Sequence, residues 1–260
     1  IQTSMPGEAP ACAAPPQAVL DELSTSGVLQ EGRNELRYLI GGDPPNAMCV
    51  RCFLHLWYSS VPTVIFDIDG TVTLNDLAGQ AAMLIDGSPT HSGVCELLCE
   101  LHARGYQLTF LTSRPLLGHS GIERTRRFLF EIAVDAPSGY RVPPVGVLTT
   151  THTTSVSALT AELSGQSKAF KSLALKTLRA AFEPPAGAVK DAAPSASGAG
   201  GLYAGFGNRE KDALAYLSAG VPPERVFLID HSSKITGRAS TVLAPLLPEA
   251  PLPAGRAPLP

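Results

Sequence analysis

A chain of 260 residues, 44% hydrophobic and only 17% charged, suits one core domain with appendages. Its formal net charge of -3 argues against a nucleic-acid binder, although a local basic patch is compatible with that balance. No apolar stretch approaches the roughly 20 residues needed to cross a bilayer, so any membrane contact is expected to be peripheral.

In chain order, residues 1–30 are rich in Ala, Pro and small polar residues and read as a linker, with a short apolar patch at 19–29. The chain opens on Ile1, as an excerpt or a processed chain would, and nothing near it reads as a signal peptide. Two strand-like pieces follow, "NELRYLI" (34–40) and "CVRCFLHLW" (49–57), separated by the turn "GGDPPNA". Cys49 and Cys52 form a lone C-x2-C without a second half; Cys95 and Cys99 fall one turn apart on a predicted helix. With Cys12 the count is five, and an odd number without a small-scaffold pattern favours structural thiols in a reducing compartment.

The core then alternates. An apolar run at 63–66 precedes a helix over 92–105, a strand over 106–111 and a helical stretch near 120–133. A strand at 145–149 leads to an amphipathic helix at 168–182; strands at 202–207 and 225–230 flank a helix at 209–219. Strands alternating with helices imply βαβ crossovers and a doubly wound, mainly parallel α/β sheet over about 61–243. Ligands of such sheets collect at the carboxyl ends of the strands. The stretches 183–201 and 244–260, rich in Pro, Ala and Gly, are expected to be an insertion and a tail that bury little.

The chemistry begins at "VIFDIDGTVTLNDLAGQ" (64–80), where Asp67 and Asp69 stand two apart at the end of an apolar strand. Two carboxylates so placed need a counter-charge, and a divalent cation with hard oxygen ligands, Mg²⁺, is the simplest one. Gly70 lets the chain flare away from the strand, and Thr71 offers a hydroxyl to the same place. A turn or helix N-cap would use the same residue types, but the preceding strand and the following Gly-Thr favour chemistry.

This stretch resembles motif I of the haloacid-dehalogenase superfamily of phosphotransferases. The resemblance asks for a Ser or Thr ending the next strand, and "LTFLTSR" supplies Thr112 with Ser113 and Arg114 beside it. It asks for a Lys on a later helix, where "KAFKSLAL" offers Lys168 and Lys171; Lys171 is preferred because Leu173 and Leu175 behind it anchor the helix. It asks for an acidic or amide motif after a further strand, and "GFGNREKD" gives Asn208 and Asp212, one helical turn apart. Thr112 as an N-cap, either Lys as a solvated side chain and Arg114 in a surface ion pair are the plainer alternatives. Within the superfamily, "DIDGTVTLNDLAGQ" and "GFGNREKDALAYLSAGVPPERVFLID" are similar to the lipin family, as are the two strands before the core; together they cover roughly residues 30–240. Departures from the lipin pattern are "TSRPLLG", with Pro115 where Ala is usual, and "TTTHTT" where Ser-Pro is usual.

The resemblance implies a Mg²⁺-dependent phosphatidate phosphatase working through an aspartyl-phosphate. In it Asp67 is the nucleophile and Asp69 the general acid and base. Thr112 and Lys171 hold the phosphoryl oxygens, Gly70, Thr71, Ser113 and Arg114 support the phosphate, and Asp67, Asp69, Asn208 and Asp212 serve the metal. It also implies phosphatidate at a membrane surface as partner, a cytoplasmic place at the endoplasmic reticulum membrane, and an immunoglobulin-like sandwich built in part by residues 31–60. The short span between the first two motifs leaves no room for a separate cap domain, so an open site is expected. A phosphatidate-binding module without turnover, and a capless phosphatase acting on phosphoprotein or a soluble ester, stay open as alternatives.

Overall fold

The computed structural model describes residues 16–41, 48–74, 90–114, 119–135, 138–149, 166–183 and 201–237. Of the stretch 183–201, expected to bury little, 184–200 lies outside the described residues, as does 244–260. The chain divides into two compact units, Ile1–Trp57 and Tyr58–Pro260.

In the first unit a helix, α1 (Gln17–Thr25), precedes an antiparallel hairpin of β1 (Gly32–Ile40) and β2 (Met48–Leu56). The register runs from Gly32 opposite Leu56 to Ile40 opposite Met48. The helix corrects the expectation of a linker over 17–25. Pro16 sits at its N-cap and Gln17, Ala18, Leu20, Glu22 and Leu23 are good helix formers, so local propensity wins over the surrounding composition. None of its residues is buried.

The second unit is an α/β layer structure. Among the described residues its sheet has six strands: β3 (Pro62–Phe66), β4 (Gln107–Thr112), β5 (Gly146–Thr149), β6 (Gly201–Gly207), β7 (Val226–Ile229) and β8 (Ile235–Gly237). Their order is β5-β4-β3-β6-β7-β8. All neighbours are parallel except β7 and β8. The antiparallel edge strand β8 was not anticipated, since three residues carry no readable alternation. Among the described residues its α-helices are α2 (Val94–Ala103), α3 (His119–Arg127), α4 (Gln166–Ala180) and α5 (Glu210–Ser218).

Alternation along β3 explains the layers. Val64 and Phe66 belong to a core with Val94, Leu98 and Leu101 of α2, whereas Ile65 belongs to a second core with Leu175 of α4 and Ala213 and Tyr216 of α5. Phenylalanines in register tie the first face together across four strands: Phe66 lies beside Phe110, stacks on Phe206 at 4.4 Å, and Phe206 stacks on Phe227 at 4.8 Å. The expected helix near 120–133 is α3 followed by a π-helical turn, Phe128–Ile132, closed by the Ala133 N–H on the Phe128 carbonyl. From β3 the chain moves outward to β4 and β5, then returns through α4 to β6 on the other flank of β3. The crevice of this topology therefore opens at the carboxyl ends of β3 and β6. No helix among the described residues is long and apolar enough to cross a membrane.

Candidate active site

Asp67 is the first residue beyond β3, and its N–H still donates to the Phe206 carbonyl of β6 at 2.9 Å. The alternation of the strand carries its side chain to the face covered by α4 and α5. There Lys171 of α4 donates to Asp67 Oδ1 at 2.8 Å and to Asp212 Oδ1 at 2.7 Å. All three side chains are buried. Asp212 is committed twice over, because its Oδ2 also accepts from the Arg209 N–H at the start of α5. Tyr216, one turn further along α5, donates its hydroxyl to the Phe206 carbonyl at 2.7 Å. That ring demands a glycine opposite it: a Cβ on Gly205 would stand 2.5 Å from Tyr216 Cγ.

The charge balance of this cluster follows from burial. Burial works against the Lys171 cation, but Asp67 and Asp212 outweigh it and raise its pKa. Burial also pushes the Asp67 carboxyl up to about 7; Lys171 pulls it down, while Asp212 and Asp69 push it further up. One cation thus serves two buried carboxylates, and the tip of β3 is short of positive charge.

After Asp67 the chain coils on itself. The N–H groups of Thr71, Val72 and Thr73 converge on the Ile68 carbonyl, and the Gly70 N–H donates to Thr73 Oγ1 at 3.0 Å. Gly70 has φ 76°, a left-handed conformation that glycine adopts without a Cβ penalty. Asp69 points to the other side of the loop, into a two-pronged ion pair with Arg114: Nη2 lies 2.7 Å from Oδ1 and Nε 3.0 Å from Oδ2. The guanidinium is seated over the Phe128 ring of the π-helical turn, 5.3 Å from its centroid. The ion pair is thus largely buried rather than on the surface, and it holds Asp69 in one orientation.

Thr112, at the end of β4, is fully buried, and its Oγ1 accepts from the Arg114 N–H at 3.1 Å. Ser113 is half-buried at the same strand end. Of the two candidate lysines, Lys171 reaches the acidic cluster, and the Lys168 side chain lies outside the described residues.

Asn208 follows β6, and its Oδ1 is buried without a hydrogen-bond partner; the Thr71 Oγ1 is in the same condition. A buried polar atom left unpaired costs free energy that a bound group restores. Among the described residues no cluster of three or more His, Cys, Asp or Glu forms a self-sufficient metal cage. The donors at the crevice are instead hard oxygens, a carboxylate and an amide, at a place where one lysine serves two carboxylates. Mg²⁺ binds in this manner, taking one or two carboxylates and leaving the remaining positions to water and substrate phosphate. The residues present fit that ion. Asp212, expected to serve the metal, contacts Lys171 through one carboxylate oxygen and the Arg209 N–H at the start of α5 through the other.

Beside this cluster lies a cleft of about 350 Å³, lined by Gly70 and Asn208, by Asp230 and His231 of the β7–β8 connection and by Thr236 of β8. Sequence reasoning missed two residues here, His91 and Ser233. His91 is fully buried, with Nδ1 2.9 Å from Ser233 Oγ and Nε2 3.2 Å from the Gly70 carbonyl. Their partners are 142 and 21 residues away, so no local pattern announces them.

Comparison with known proteins places these features in a family. Residues 17–244 match LNS2 (Lipin/Ned1/Smp2). The nuclear elongation and deformation protein 1 of Schizosaccharomyces pombe is 31% identical over 207 residues, covering 80% of this chain and 28% of that protein. Phosphatidic acid phosphohydrolase 1 of Saccharomyces cerevisiae is 30% identical, over 80% of this chain and 23% of its own length. The human phosphatidate phosphatase LPIN3 is 25% identical, over 80% of this chain and 22% of its own. The chain thus spans less than a third of the curated relatives it matches.

Proposed function

The chain belongs to the LNS2 (Lipin/Ned1/Smp2) family, and from that premise and the strand-end geometry we propose that it is a Mg²⁺-dependent phosphatidate phosphatase domain, converting phosphatidate to diacylglycerol and phosphate. The observation that carries the reading is the buried Asp67–Lys171–Asp212 cluster at the tip of the central strand, beside the orphaned Asn208 oxygen.

In this reading an oxygen of Asp67 attacks phosphorus in line and forms an aspartyl-phosphate. Asp69 protonates the departing glycerol oxygen and later takes a proton from the water that hydrolyses the intermediate. Arg114 holds Asp69 in one orientation through its paired hydrogen bonds. Lys171 and Thr112 stabilise the phosphoryl oxygens as charge builds, and Asp212 keeps Lys171 charged and aimed. Gly70, Thr71 and Ser113 line the phosphate's approach. Mg²⁺, held by the Asp67 carboxylate, the Asp69 backbone carbonyl and the Asn208 amide oxygen, would neutralise charge on the phosphate and offset the repulsion between it and the carboxylates.

In this reading the substrate meets the site at a membrane surface, supported by the phosphatidic acid and phosphatidate in the names of the yeast and human relatives. In the cell this corresponds to peripheral association with the cytoplasmic side of the endoplasmic reticulum. β1 and β2 would be strands of an immunoglobulin-like sandwich in the same reading.

The test is phosphate release from phosphatidate in detergent micelles with Mg²⁺, beside a phosphopeptide and glycerol phosphate. Phosphatidate is expected to be the preferred substrate, with Asp67→Asn lowering the rate on the order of a thousandfold or more. Binding of phosphatidate without release would make the domain a lipid-binding module, and preference for the peptide or the soluble ester would give it another substrate; either defeats the proposal.

A further inference from the structure

We propose that His91 is a positioning residue that clamps the Asp69–Thr73 loop to the β7–β8 turn, and so fixes the width of the cleft in which the substrate is held. The inference rests on the reading of that loop as catalytic.

His91 grips the loop twice. Its backbone N–H donates to the Val72 carbonyl at 3.0 Å, and its ring Nε2 stands 3.2 Å from the Gly70 carbonyl. A carbonyl only accepts, so Nε2 carries the proton. In the neutral ring Nδ1 is then the acceptor, and the Ser233 hydroxyl donates to it across 2.9 Å. One fully buried imidazole therefore joins Gly70 of the cleft lining to the turn that supplies Asp230 and His231 to the same lining.

A second observation singles out the far end of this strut. Ser233 has φ 63°, and it is the one non-glycine residue with positive φ among the described residues. An L side chain in that conformation is strained and persists where its surroundings hold it. The Ser233 N–H donates to the Asp230 carbonyl at 3.0 Å, closing the turn, and the hydroxyl reaches His91. Glycine would satisfy this backbone with less strain but could not make the bond. The serine is explained by its hydroxyl.

The clamp makes kinetics separable from stability. Ser233→Gly relieves the left-handed strain but leaves the buried His91 Nδ1 without its donor, so the two effects oppose and the melting temperature should move little. The kcat on phosphatidate should nevertheless fall about tenfold, as is usual when a group supporting catalytic residues is lost, with a smaller change in KM. His91→Gln can still donate to the Gly70 carbonyl but not reach Ser233, and should match Ser233→Gly; the shorter His91→Asn can still reach Ser233 but not Gly70, and should lose about the same, since either break opens the strut. Because both ends serve one strut, the His91→Gln/Ser233→Gly double variant should lose about the same tenfold as either single change.

The experiment is kcat, KM and thermal melting of the full chain and these four variants on phosphatidate micelles with Mg²⁺. Losses that multiply, an unchanged kcat in Ser233→Gly, or a kcat that falls only in step with melting temperature would overturn the clamp. Ser233 lies on a turn, so its variant decides the matter even where a change at buried His91 prevents folding. If the wild type releases no phosphate from phosphatidate, it is the function that is misread. Hydrogen exchange then judges the clamp: Ser233→Gly must speed exchange of the Thr71, Val72 and Thr73 amides, and unchanged exchange refutes it.

Discussion

Lys171 stands 2.8 Å from Asp67 and 2.7 Å from Asp212 with 3% of its surface exposed, so neither carboxylate can turn to water if the ammonium is removed. Truncating one member of a buried ionic cluster generally costs about 3–5 kcal/mol, because the charges left behind are uncompensated. Lys171→Met should therefore lower the unfolding free energy by about that amount in urea denaturation. Adding Asp212→Asn, which removes one orphaned charge, should restore part of the loss. Equal stability of wild type and Lys171→Met would mean that the cluster does not balance as described. Asp212 is tied at both oxygens, one on Lys171 and the other on the Arg209 N–H, so it also fixes where the lysine stands.

At the scale of elements, the packing of α5 on β6 decides where Asp212 and Tyr216 stand. Gly205 permits that approach, and Gly205→Ala would drive a methyl to 2.5 Å from the buried Tyr216 ring. Overpacking of this kind costs about 1–3 kcal/mol, and it should lower activity as well by pushing α5, with Asp212, away from Lys171. Thermal melting and phosphate release measured on the same sample check both; an unchanged pair would contradict the packing. The elements themselves were legible because β3, β4 and β6 are apolar runs, each closed by a chemistry-bearing residue, Asp67, Thr112 and Asn208. The helices between them carry a plain apolar period. What escaped was set by tertiary context. β8 is too short to carry a pattern, and the π-helical turn after α3 reads as continued helix although it presents Phe128 to Arg114. The pairing of Arg114 with Asp69, and the meeting of His91 with Ser233, join residues 45 and 142 positions apart. No periodicity reports such meetings.

For the molecule as a whole, buried histidine gives a pH dependence with a definite sign. Burial lowers the His91 pKa below its usual 6.5, against smaller opposing effects of the Gly70 carbonyl and Asp230. The folded state then binds fewer protons than the unfolded one, so this contribution to stability is present above pH 6.5 and lost as pH falls through the lower folded value. The melting temperature of the wild type should drop more between pH 7.5 and pH 5 than that of His91→Gln; parallel curves would show that His91 titrates alike in both states. The central claim is that Asp67 carries the phosphoryl group. Quenching the enzyme in acid during turnover of phosphatidate, reducing with borohydride and sequencing the peptide around β3 by mass spectrometry tests it most directly. An acyl-phosphate at Asp67 should be recovered as homoserine at position 67, and turnover with aspartate intact there, or with the label on another residue, would contradict the account.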